Sequence, residues 1–390
     1  MVVRVLQALR PAPTRHRLAA ALIALCAGGL PAHETSAQQV AAADVAVEDI
    51  TVPADFRIDV FAEKLGGVRA LAVDAEGVLL ASIPALGRVV ALPDRRGLGR
   101  ATDIITVVDN LELPHGLVVR AGYLYVAETG RIVRYRYDPL TLSAVEPTVV
   151  VADLPHAGHH WTRSLAFGPD GRLYVAIGSS CDACDERDPR RATIMRYRAD
   201  GSGAERFASG LRNPVGLAFH PRTRALWTTV NERDWPGGGA PPDYVTEVRH
   251  TGAYGWPRCF AERHAFWLDP TFARGAACRG LTLPSVELPP HAAPLGLAFY
   301  TGAQFPREYA GNLLVALHGS RVGLPPSGYK IVRIRARAGR PGALEDFSTG
   351  WRRSDRVVGR PVDLVVGREG ALYVSDDHGD RVHRVTYVAR

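Results

Sequence analysis

The feature that most limits how this chain can fold is a phrase that occurs six times. Each copy has a short apolar stretch, a turn and a second apolar run. The copies are ALAVDAEGVLLASI, GLVVRAGYLYVAET, SLAFGPDGRLYVAIG, GLAFHPRTRALWTTV, GLAFYTG with NLLVALH, and DLVVGREGALYVSDD. Their aligned leucines are Leu71, Leu117, Leu165, Leu217, Leu297 and Leu364, at successive gaps of 46, 48, 52, 80 and 67 residues. A period of about 40–50 residues built from short strands is that of a β-propeller blade. No 3.6-residue periodicity competes over any length. The repeats therefore predict an all-β, six-bladed β-propeller over residues 55–390. The two long gaps predict inserted loops, one over 231–295 and one near 319–328. A strand-like segment at 55–61 precedes the first copy. It is expected to complete the last blade and close the ring, which removes exposed sheet edges.

Residues 1–37 are of a different kind. Arg4, Arg10, Arg15 and Arg17 precede an apolar run from Leu18 to Leu30, followed by small residues around Thr35, Ser36 and Ala37. This is the layout of a secretory signal peptide, and the run is short for a membrane span. Cleavage after Ala37 would leave residues 38–54 as a linker and make the protein periplasmic or secreted, with no transmembrane segment. It would also lower the formal charge from +7 to +4. With no Lys/Arg block in the remainder, nucleic acid is not an expected partner.

Four cysteines remain after such a cleavage: Cys181, Cys184, Cys259 and Cys278. An even number in an oxidising compartment predicts two disulfides, most simply 181–184 and 259–278. A zinc site would want two closely spaced pairs, and haem attachment would want His where Asp185 stands. The acidic residues Asp182, Asp185, Glu186 and Asp188 beside the first pair read as a solvated charged loop, with a second ion site as the other reading.

In a propeller the first strand of each blade lines the central channel, so the residues just ahead of it stand at the channel mouth. Ahead of the six leucines lie Arg69; His115; His160 with Arg163; Arg212 with Asn213; His291; and Arg360. Distant stretches thus bring imidazole and guanidinium groups to one ring. The expected result is a cationic pocket suited to an anionic ligand. Trp161, Trp235, Trp256 and Tyr254 fall in or near the mouth loops, as stacking surfaces or as core; for Trp256 the core is preferred.

The motifs TRSLAFGPDGRLYVAIGSSCDAC, RRATIMRYRADGSG, ASGLRNPVGLAFHP, PPDYVTEV with YGWP, HAAPLGLAFY, ALHGS with GYKIVRI, and GRPVDLVV resemble those of the glucose/sorbosone dehydrogenase family. These are soluble sugar dehydrogenases that depend on pyrroloquinoline quinone (PQQ), and the sorbosone-dehydrogenase-like branch is the most similar. The resemblance covers about 115 to 385 and implies a six-bladed propeller, as the repeats do. It implies that His160 is the catalytic histidine, with His159 behind it. It implies that Arg212 and Asn213 lie beside the quinone, Arg212 stabilising negative charge there. It implies that Lys330 and Arg360 pair with PQQ carboxylates, and Arg163 is placed with these cofactor-binding groups. Calcium is implied through the backbone carbonyls of Glu232 and Arg233, since hard oxygen ligands suit that ion.

The activity so implied is oxidation of an aldose or sugar aldehyde by hydride transfer to PQQ. A histidine would act as general base, and electrons would pass to an external acceptor. Two other readings stand beside it. A metal-dependent lactonase would need inward Glu, Asn and Asp side chains, whereas the mouth residues are His and Arg. A non-catalytic carbohydrate- or protein-binding propeller is also open, because fold alone does not fix chemistry.

Overall fold

The computed structural model describes residues 49–234, 241–273, 275, 278–321, 325–337 and 340–388. The expected signal peptide, most of the expected linker and Trp235 lie outside the described residues. Helical structure among those described is confined to short 3₁₀ turns such as Pro84–Leu86 and Arg307–Tyr309, and no helix among the described residues is long and apolar enough to cross a membrane.

Six antiparallel sheets form the six blades. Their innermost strands are Leu71–Val73, Leu117–Arg120, Arg163–Phe167, Asn213–Phe219, Pro294–Phe299 and Pro361–Val366. Each carries one of the six aligned leucines, so the phase of the repeat read from the sequence is the phase of the blades. The ring closes as expected: Phe56–Glu63 is the outer strand of blade 6 and pairs antiparallel with Arg381–Tyr387, Phe56 opposite Tyr387.

The second strand of each blade explains the continuous apolar runs. Side chains of a strand alternate between faces, and here both faces are covered. In blade 1, Leu79 and Ala81 pack toward blade 6, while Leu80 packs toward blade 2. In blade 3, Leu173, Val175 and Ile177 face blade 2, and Tyr174 faces blade 4. One such apolar cluster fills each of the six junctions between neighbouring blades.

At the axis, inner strands come so close that side chains are excluded. A Cβ on Gly116 would lie 2.4 Å from the Arg163 carbonyl oxygen, and one on Gly216 would lie 2.4 Å from that of Leu295. The channel between the inner strands encloses about 350 Å³ and is lined from all six blades, by Leu71, Leu117, Leu165, Leu217, Leu297 and Leu364 among others.

Two boundaries shift. Residues 49–54, read as linker, are packed onto the propeller: Ile50 is buried, Thr51 bridges Thr349, and Asp49 pairs with Arg353 and Arg356. The segment 231–295 is more than a loop. It holds the third and fourth strands of blade 4, Tyr244–Val248 and Val286–Glu287. It also holds a hairpin of Cys259–Glu262 with Ala265–Leu268, and Gly252–Ala253, which adds to the edge of blade 3 in parallel. Both expected disulfides form, Cys181–Cys184 and Cys259–Cys278, as fits an oxidising compartment.

Candidate active site

The mouth loops of blades 3, 4 and 5 surround a cleft of about 720 Å³ whose walls include His159, His160, Asp182, Arg212, Asn213 and His291. His160 reaches it from the loop ahead of the blade 3 inner strand. Its Nδ1 lies 2.8 Å from the Ser179 carbonyl oxygen and 3.0 Å from Ser179 Oγ. A carbonyl only accepts, and Ser179 Oγ already donates to the Cys181 carbonyl at 2.6 Å. Nδ1 must therefore carry the hydrogen, which leaves Nε2 as the free lone pair of a neutral imidazole. Burial, and then the charge of Arg212, push the His160 pKa down to about 3. The ring is thus unprotonated at neutral pH. Room for it exists only because residue 178 is glycine: a Cβ there would stand 2.4 Å from Asn213 Oδ1 and 2.6 Å from His160 Cβ.

Arg212 is buried in the floor. Its Nε donates to the Asp182 carbonyl at 2.8 Å and Nη2 to Asp182 Oδ1 at 2.7 Å. Nη1 donates to the carbonyls of Asn231 at 3.1 Å and Glu232 at 2.7 Å. A guanidinium has five N–H donors, so one on Nη2 has no acceptor among the described residues. Two further polar atoms on cleft-lining residues, Asn213 Oδ1 and His291 Nε2, are buried without a hydrogen-bond partner. Unsatisfied buried polar groups are rare and costly, and a bound polar molecule would relieve them.

Three expected cofactor contacts are elsewhere. Arg163 is fully buried beneath the His160 loop, donating to the carbonyls of His160 at 2.9 Å, Thr162 at 2.6 Å and Pro155. It holds the loop in shape and does not face the cleft, because as the first residue of its strand it points into the packed interior. Arg360 spends its donors on the carbonyls of His318, Gly319 and Ser320. It braces the cleft wall at Gly319 and Ser320 from behind. Lys330 opens the third strand of blade 5 and pairs with Asp346 on the next strand, Nζ to Oδ1 2.7 Å. The Glu232 carbonyl, expected to ligate calcium, accepts Arg212 Nη1, so an ion there would meet a guanidinium.

The mouth is also less cationic than the sequence suggested. Asp182, Glu232, Asp234 and Asp243 all line the cleft. Asp182 serves Arg212 and Arg233. Asp234 lies between His291 and Arg321. Asp243 accepts the backbone N–H groups of Glu232 at 2.7 Å and Ala293 at 2.8 Å. Burial pushes the Glu232 carboxyl up to about 8 and that of Asp243 up to about 7. Sequence reasoning placed Asp182 in a solvated loop and used only the Glu232 carbonyl, and it missed Asp243 and the cleft-facing role of Asp234; the only signal for these two was their polarity inside the long blade 4 segment. They are the residue types a lactonase would use, but they do not converge on one point. Among the described residues, the one trio of His, Cys, Asp or Glu close enough to share an ion is Cys181, Cys184 and Glu186, and its sulfurs are joined to each other. Asp185 pairs with Arg258, Asp188 with Arg190, and Glu186 accepts from Ser180, so this acidic loop is tied down. Trp256 is buried, its Nε1 donating to the Asp182 carbonyl at 3.3 Å, and Tyr254 is core.

A family model described as TrAA12-like matches residues 50–235 and 243–387. The chain belongs to the TrAA12-like family. A protein of Borreliella burgdorferi described as uncharacterized is 28% identical over 88% of this chain and 93% of its own length. The pyrroloquinoline quinone-dependent pyranose dehydrogenase of Coprinopsis cinerea is 26% identical over 82% of this chain, but that match spans only 52% of the Coprinopsis protein. The holo form of that enzyme's PQQ domain superposes with a TM-score of 0.75 at 22% identity, over 86% of this chain and 97% of the domain. The resemblance to PQQ-dependent sugar dehydrogenases, and with it that class of oxidoreductase, is borne out at the level of the family.

Proposed function

We propose that this protein oxidises an aldose or a sorbosone-like sugar aldehyde with PQQ and passes the electrons to an external acceptor, working in the periplasm or outside the cell. The observation that carries the reading is the pairing, in one cleft, of a neutral imidazole with a free Nε2 and a buried guanidinium held from behind. The family membership points the same way. PQQ, when bound, supplies the hydride acceptor.

The chain's own residues do the rest. His160 Nε2 accepts the proton of the substrate hydroxyl, its tautomer fixed by Ser179. Arg212 places a fixed positive charge where negative charge grows, and because Asp182 and three carbonyls hold it, that charge needs no reorganisation. An anionic ligand beside His160 raises its proton affinity from this depressed value, which brings it toward the range of a useful base. PQQ is a tricarboxylic acid, and the residues fit its anionic groups through Arg212 and the exposed Arg321 at the rim, while the orphaned Asn213 Oδ1 can accept only from an N–H or O–H of a ligand. Calcium is a finer part of the proposal. A hard cation would find its oxygen in the Glu232 carboxyl, a buried group that gains from a positive neighbour, and no step is derived through it.

The test is reconstitution of the purified protein with PQQ, with and without Ca²⁺, followed by dye reduction against a panel of aldoses and sugar aldehydes. PQQ-dependent turnover of at least one sugar is expected. Failure to bind PQQ and to turn over any of them removes the proposal. Sugar or protein binding without turnover would leave a binding propeller in its place.

A further inference from the structure

The short disulfide beside the cleft touches both groups on which the chemistry rests. Cys181 and Cys184 are three residues apart and joined, and Asp182 lies inside the turn they close. Asp182 is bound from four directions. Its carbonyl accepts Arg212 Nε and Trp256 Nε1, Oδ1 accepts Arg212 Nη2 and the Asp234 backbone N–H, and Oδ2 accepts Arg233 Nε at 3.3 Å. On the other side, Ser179 Oγ donates to the Cys181 carbonyl, and the same Ser179 takes the Nδ1 hydrogen of His160. One end of the turn therefore fixes the tautomer of the imidazole, and the middle of the turn aims the guanidinium.

We propose that the Cys181–Cys184 turn is the positioning element of the site, with Asp182 as the residue that orients Arg212 and Ser179 as the one that orients His160. The inference builds on the proposed use of His160 and Arg212. A loop this short lies at the low end of what disulfide closure adds to global stability. The bond's effect is accordingly local: it holds carbonyl 181, carbonyl 182 and the Asp182 carboxylate in register with two side chains from blades 3 and 4. Charge-assisted hydrogen bonds of this kind are the directional ones, and a fixed orientation is what makes a charge useful to a reaction. The same geometry replaces the reading of Asp182 as part of a solvated acidic loop.

The experiment compares C181S/C184S and Asp182→Asn with the parent protein by three measurements: PQQ affinity of the apoprotein by equilibrium titration, ¹⁵N histidine spectra without PQQ, and thermal unfolding. C181S/C184S is expected to bind PQQ about ten- to a hundredfold more weakly, the effect of losing one charge-assisted hydrogen bond at a buried cation. Its His160 nitrogen shifts move toward a tautomer mixture, with a small fall in Tm. Asp182→Asn, with the disulfide intact, weakens PQQ binding in the same range but leaves the His160 shifts in place, and Asp182→Glu regains part of the affinity. If C181S/C184S keeps both the parent affinity and the parent His160 spectrum, the proposal is overturned. Should that variant not fold, Asp182→Asn decides: parent-like affinity overturns the role given to the turn. If the parent itself does not bind PQQ, the proposed function fails, while the His160 spectrum of C181S/C184S still decides the positioning role.

Discussion

Two halves of the channel mouth carry similar residues and use them differently. On the side of blades 3 to 5, His160 and Arg212 face a cleft, each anchored from behind, with donor or acceptor capacity left over. On the side of blades 6, 1 and 2, Arg69 and His115 are taken up by neighbouring groups, and His318, at the end of the blade 5 second strand, shares the partner of Arg69. Arg69 Nη1 donates to Asp377 Oδ2 at 2.6 Å, His318 Nε2 to Asp377 Oδ1 at 2.9 Å, and Arg69 lies over the Trp161 ring. His115 is buried against the Arg163 carbonyl and packs edge-on to Trp161. The difference teaches that residue type at an equivalent repeat position does not fix a role. What fixes it is whether the neighbouring loop supplies a partner that completes the group or one that only holds it.

The largest effect expected from this contrast is on turnover. His160→Asn should lower kcat about 10²–10⁴-fold, the usual contribution of a general base, with little change in Tm. His318→Asn should do the reverse. It leaves Asp377 half-paired at a partly buried site and costs about 1 kcal/mol of stability, while kcat stays near that of the parent. Steady-state kinetics and calorimetry on the two variants check this. Equal losses of kcat in both would erase the distinction between the halves.

The carboxyls of the two halves should differ in sign with pH. Burial raises Glu232 from its ordinary 4.5 to about 8. The folded state therefore holds that proton more tightly than the unfolded chain does. Its contribution is full below about pH 4.5 and is lost as pH rises toward 8 and beyond. Glu232→Gln should leave Tm nearly unchanged at pH 5 and raise it at pH 8.5, at roughly 2 °C per kcal/mol for a domain of this size. Asp377 is the opposite case. Burial works against its charge, but the hydrogen bonds from His318 and Arg69 and the charge of Arg69 outweigh it and hold the carboxyl below the usual carboxylate range. Burial keeps His318 itself neutral, with its pKa lowered. Asp377→Asn should lower Tm at pH 7, and the gap should narrow as the pH falls below 4. A Glu232→Gln variant less stable than the parent at pH 8.5 would mean that Glu232 is ionised and paired, which would bring the two halves together.

Much of the fold was legible because blade geometry repeats in the chain. The aligned leucines and the closing strand at 55–61 follow from spacing, and both disulfides from an even cysteine count in an oxidising compartment. His160 and Arg212 were legible for the same reason, since each precedes an inner strand, and Asn213 opens one. What spacing cannot convey is the direction of a side chain once a neighbouring blade offers it a partner. Arg163 and Arg360 stand at the right repeat positions, yet carbonyls of adjacent loops claim them. Asp182, Glu232 and Asp243 lie in loops of irregular length, outside any repeat phase. The burial of Glu232 and Asp243 depends on how the blade 4 segment folds back, and the contacts of Asp182 on how its disulfide turn meets Arg212, which no local pattern in the sequence encodes.

The smallest expected effect is the sharpest test of that lesson. Lys330 and Asp346 form a partly exposed pair, their side chains 29% and 51% accessible. Such pairs contribute about 0–1 kcal/mol. Lys330→Met should therefore shift Tm only slightly and leave PQQ affinity at the parent value, and a double-mutant cycle with Asp346→Asn should return a coupling within that range. Family resemblance predicts instead that Lys330 binds a cofactor carboxylate. A clear loss of PQQ affinity with Tm unchanged would show that the lysine leaves Asp346 when the anion arrives. The pairing with Asp346 would then be a resting place, and Arg360, tied to carbonyls in the same way, would have to be tested as a second group that moves.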